Sequence, residues 1–151
     1  MMLIWYIIFN FILVNQTHEL NNYSFQEIDE LQSLEKRKLV FFLHADWCIY
    51  CQNMKNTTLK DPDVVKMLNS NFYFVSFNVE HNQNIQFRNT QFKAASKLSQ
   101  HALARTICGG KECVLPGFII INYNDEIEFE SYTYLDSKAL KKIINNVQIK
   151  E

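Results

Sequence analysis

Cys48 and Cys51 in "ADWCIYC" have the residue type and spacing best suited to chemistry. A C-x-x-C pair can clip a metal, staple a loop or exchange electrons. As a staple it is weak, because a disulfide across two residues closes a very short loop and removes little chain entropy. The preceding run "KLVFFLHA" reads as a strand covered on both faces, and Cys48 to Asn56 reads as a helix. A cysteine at that junction meets free backbone N–H groups and the positive end of the helix dipole, both of which favour the thiolate. Cys48 is therefore the expected nucleophile, and Cys51, one turn later, the cysteine that resolves a mixed disulfide. Trp47 either offers a flat apolar surface to a partner polypeptide or fills the core.

A second close pair, Cys108 and Cys113, flanks "GGKE". Three readings stand for it. It is a local structural disulfide, a second redox pair relaying electrons to the first, or half of a four-thiolate zinc or iron–sulfur site. Disulfide exchange itself needs no metal and no cofactor, and none is expected. His18, His81 and His101 show no ligand spacing.

The elements that position these residues belong to a chain of 151 residues, 48% hydrophobic, with a net charge of -1, enough for one compact domain with a real core. The charge gives no reason to expect nucleic acid or an anionic membrane surface as partner. Three glycines and two prolines exclude collagen-like, linker-rich and disordered classes. Met1 to Val14 is almost unbroken apolar sequence, shorter than the about 20 residues of a membrane span. Residues 1–16 are expected to be a signal peptide or an N-terminal anchor, with a buried N-terminal element as the further reading.

Ser24 with Glu27 forms a capping box for a helix to Lys36. Asp61 caps and Pro62 opens a further helix, and "FYFVSFNVE" is a second buried strand. Strand–helix–strand order implies a parallel pair. "NIQFRNTQFKAA" suits a short hairpin, and "SKLSQHALARTI" a helix. Strands are expected at Phe118 to Asn122 and Glu126 to Ser131 about a turn at Asn124–Asp125. Asp136 or Ser137 caps a last helix through Asn146. The expected class is α/β: a βαβ unit plus a ββα unit, with a central mixed sheet sandwiched by helices in three layers.

"LVFFLHADWCIYC", "TLKDPDVV" and "LPG" at Leu115 to Gly117, in this element order, resemble the thioredoxin superfamily. The domain is expected over residues 24–149. The likeness is to exported thioredoxin-like proteins and to the C-terminal domain of DsbD-type disulfide reductases. It implies a thioredoxin fold, a cis Pro116 facing the cysteines, and a substrate surface from Trp47, Tyr50, Leu115 and Pro116. The buried acid of the family falls on Phe42 and its lysine partner on Ser76, so both members of that pair are absent together. The acid seven residues after the first cysteine falls on Lys55. His44, in a slot that the family often fills with an aromatic residue, is the candidate acceptor of the Cys51 proton or a hydrogen-bonded filler.

The resemblance implies a thiol–disulfide oxidoreductase that reduces disulfides of exported proteins, in the periplasm or another extracytoplasmic space. Its expected partners are protein thiol or disulfide substrates and a redox protein donating electrons. It would be a monomer with no nucleic acid, touching membrane only through an N-terminal anchor. The competing reading is a binding or chaperone-like module that uses the same apolar face, with redox activity secondary.

Overall fold

The computed structural model describes residues 19–149, so the proposed signal or anchor at 1–16 lies outside them, as does His18. A four-stranded sheet runs in the order β2-β1-β5-β6, with β1 Lys38–His44, β2 Phe72–Asn78, β5 Gly117–Ile121 and β6 Ile127–Ser131. β1 pairs parallel with β2 and antiparallel with β5, and β5 pairs antiparallel with β6. Every residue of β1 is buried, as a continuous apolar strand at the centre of a covered sheet must be.

The helices are α1 Phe25–Leu34, α2 Ile49–Asn56, α3 Pro62–Asn71, α4 Ala102–Ile107 and α5 Ser137–Gln148. Their starts follow from their caps. Ser24 and Glu27 form the capping box of α1, the Asp61 carboxylate accepts from the N–H groups of Asp63 and Val64, and Asp136 caps α5. A 3₁₀ turn, Thr58–Lys60, joins α2 to α3.

Alternation along β1 sorts the layers. Phe41 stacks on Phe25 of α1 and shares an apolar cavity with Leu103 and Ile107 of α4. His44, like Phe42, points the other way and meets Lys55 of α2. Helix α5 joins α3 through Lys141, which bonds Asp63, and the segment just before α5 joins the 3₁₀ turn where Thr58 Oγ1 donates to the Leu135 carbonyl. The outer edge of β2 is met by residues 19–24: Tyr23 N–H donates to the Phe74 carbonyl and Ser76 N–H to Asn22 Oδ1.

A two-stranded ribbon, β3 Ile85–Phe87 and β4 Thr90–Phe92, forms the expected hairpin, turning on Arg88 and Asn89 with φ of 51° and 60°. The helix expected from Ser96 is shorter, beginning only at Ala102. Ser96 Oγ accepts from Leu98 N–H and pairs with Ser99 Oγ, a local turn that competes with helical hydrogen bonding. Leu98 consequently stands out in solvent.

Candidate functional site

Cys48 is the N-cap of α2, extended at φ -78° and ψ 100°, and its Sγ accepts from the Cys51 N–H at 3.2 Å. The position follows from two local events. β1 ends at His44, whose carbonyl accepts from Val79 N–H, and the chain then turns so that Cys48 N–H bonds the Ala45 carbonyl. Asn78 donates to Asp46 Oδ1 and the Trp47 indole N–H to Glu80 at 2.8 Å, lashing the loop to the end of β2. Cys48 and Cys51 form a disulfide with their Cα atoms 5.2 Å apart. Cys51 is fully buried and Cys48 nearly so.

Around this disulfide the surface is apolar and exposed. Trp47 is 69% exposed, so it is not a core residue, and Ile49 and Tyr50 stand out similarly. Leu115 is half-buried and Pro116 buried, and the peptide bond between them is cis. Clefts of about 600 and 750 Å³ lie beside the site, but neither Cys48 nor Cys51 lines them. The cysteines thus face a flat apolar surface, a shape that suits a polypeptide better than a small molecule.

Phe42 and Ser76 stand where the resemblance would put a buried acid and its lysine partner. Phe42 is fully buried, and Ser76 is its register partner across β1 and β2. His44 is 7% exposed and lies at the end of β1, stacked on Phe42 at 5.7 Å. The Lys55 ammonium comes within 3.0 and 3.1 Å of its two ring nitrogens. Burial first, and the Lys55 charge second, push the His44 imidazole down to about 4 against the opposing pull of Asp46. His44 is therefore neutral at pH 7, and too weak a base to draw a proton from a buried thiol efficiently. Burial also lowers the Lys55 ammonium, against the Asp46 carboxylate.

The second pair forms its own disulfide, Cys108–Cys113, with Cα atoms 5.6 Å apart. The four cysteines therefore do not converge on one point. Among the described residues no group of three or more His, Cys, Asp or Glu is arranged to hold a metal. Sequence reasoning missed Glu80, Gln100 and Val114 at these sites. Lys55 was visible as a residue four after Cys51, on the same helix face, but its contact with His44 was not.

Residues 26–96 match a family model described as thioredoxin-like. No curated protein sequence matches the chain. Among solved structures it is similar to a thioredoxin from Thermus thermophilus, at 21% identity and a TM-score of 0.64 over 87% of this chain and 89% of that one. A DsbH oxidoreductase superposes with a TM-score of 0.62 at 14% identity, covering 87% and 86%. The reduced DsbD C-terminal domain of Neisseria meningitidis gives 0.53 at 14% identity, covering 83% and 92%. No described helix is long and apolar enough to cross a membrane. The family-model match over residues 26–96, the sheet order and a C-x-x-C disulfide opening α2 give this chain a thioredoxin-like fold, similar to that of DsbD-type domains.

Proposed function

We propose that the protein is a thiol–disulfide oxidoreductase that reduces disulfides in other proteins. The observation that carries this is a C-x-x-C disulfide at a helix start, framed by exposed Trp47, Ile49 and Tyr50. In the reduced protein, the Cys51 N–H and the α2 dipole favour the Cys48 thiolate. That thiolate attacks a substrate disulfide, forming a mixed disulfide and expelling one substrate thiolate. Cys51 then loses its proton and attacks Cys48 Sγ, closing the Cys48–Cys51 bond and releasing the second substrate thiolate. Two electrons pass to the substrate, and a partner dithiol must return them. Trp47 and Tyr50 form the docking face, and the backbone at Leu115, before Pro116, pairs with an extended substrate segment.

The reducing direction is supported by the A-D-W-C context, and an extracytoplasmic setting by the apolar run at residues 1–14, as a signal or a tether. Protein-disulfide reduction assays test the activity. Wild type should turn over, Cys48→Ser should not, and Cys51→Ser should stall as a mixed disulfide on Cys48. A reduction potential near that of strong oxidants, about -120 mV, overturns the direction. Substrate binding without turnover in wild type would favour the binding-module reading, which the exposed apolar face supports.

A further inference from the structure

Cys108 and Cys113 sit in a frame that carries hydrogen bonds of its own besides their sulfur–sulfur bond. Cys108 is the C-cap of α4, its N–H bonded to the Ala104 carbonyl. Gly109 and Gly110, at φ of 69° and 84°, donate to Thr106 and Arg105 carbonyls in the pattern of a Schellman cap. At the other end, Gln100 grips the Cys113 backbone twice, accepting its N–H at 2.7 Å and donating to its carbonyl at 3.0 Å. Cys113 Sγ lies 3.1 Å from the Ala104 carbonyl, a ready acceptor for a thiol S–H. Both ends are thus pinned by hydrogen bonds besides the disulfide.

The two sulfurs differ in access. Cys113 is buried, while Cys108 is half-buried and lines an open cleft of about 440 Å³ with Gly109, Lys111, Glu112, Val114 and Tyr132. Their electrostatics invert those of the first pair. Cys48 opens a helix, where a thiolate is favoured, whereas Cys108 closes one, where the carbonyl end of α4 disfavours it. We infer that Cys108–Cys113 is a second thiol–disulfide exchange site, slower than the first, that takes two electrons from a dithiol entering this cleft while the fold is kept.

The incoming thiolate attacks Cys108 Sγ, and Cys113 leaves as a thiolate, takes a proton from water and, as a thiol, hydrogen-bonds the Ala104 carbonyl through its S–H. The second thiol of the donor, deprotonated, then displaces Cys108, which is protonated in turn. The donor leaves as a disulfide, and the protein holds two thiols.

The test uses the full chain with Cys48→Ser and Cys51→Ser, which silences the first pair and makes the outcome independent of the proposed activity. It is equilibrated with mixtures of reduced and oxidised dithiothreitol, then alkylated and weighed. A reversible two-electron transition at Cys108–Cys113 with unchanged near-UV circular dichroism is expected. On the same background, the Cys108 thiol left by Cys113→Ser should react with a chromogenic aromatic disulfide about tenfold faster than the Cys113 thiol left by Cys108→Ser. If either variant misfolds, trapping the Cys48→Ser, Cys51→Ser chain with a monothiol gives the same answer, with the monothiol carried on Cys108 as expected and on Cys113 overturning the inference. Reduction only with loss of tertiary structure, resistance to reduction under native conditions, or faster labelling of Cys113 overturns the inference.

Discussion

His44 is buried against Phe42 with Lys55 beside it, and its imidazole is pushed from 6.5 down to about 4. Between those values an unfolded chain binds a proton at this position and the native protein does not, so stability falls as the pH drops from 6.5 to 4. His101, buried at the start of α4, adds a contribution of the same sign. Its Nδ1 accepts from Leu103 N–H, so its Nε2–H donates to the Gln83 carbonyl, and burial lowers its pKa. Replacing His44 with Phe should remove the His44 part. The stability lost on acidification should shrink by about 2 kcal/mol, discounted for residual solvent screening, as measured by urea unfolding at pH 4 and 7. Catalytic pH dependence above pH 5 should stay unchanged, and a lost acid limb would restore His44 as the proton acceptor. At this scale the sequence was readable where chemistry depends on local spacing. The Cys48–Cys51 pair at a helix start needs three residues of separation and nothing else. Glu80 under the Trp47 indole and Gln100 against Cys113 come from 33 and 13 residues away, and only the folded chain brings them there.

Helix starts marked by a capping Ser or Asp were legible beforehand. Asp61 shows why, since its carboxylate meets two of the N–H groups that α3 leaves unbonded, and Pro62 has none to satisfy. Asp61→Ala should cost about 1–2 kcal/mol in urea unfolding, and Asp61→Asn, which can still accept those bonds, much less. Equal losses from the two would place the effect in the Lys141 contact, 3.7 Å from Asp61, rather than in the cap. The stretch at Ser96 went the other way. It was expected to be helical from Ser96, but serine hydroxyls at Ser96 and Ser99 offer the backbone a competing turn.

For the molecule as a whole, a strand–helix–strand unit followed by strand–strand–helix leaves few ways to close a sheet, so the order of elements alone carried the fold. What element order does not reveal is how the sheet ends. β6 is an edge with Glu128 and Glu130 along it, charges that discourage a further strand. β2 is the other edge, a strand of aromatic residues, and it is met by Tyr23 and Asn22 through the bonds to Phe74 and Ser76. This short N-terminal strip therefore acts as a stop on lateral growth. A chain with Asn22→Ala and Tyr23→Pro loses both bonds and should melt earlier and associate with rising concentration in sedimentation experiments. A variant that melts earlier yet stays monomeric would show that the strip stabilises without shielding. The few residues just ahead of α1 would then govern whether this protein stays a solitary molecule or adds strand to strand with its own copies.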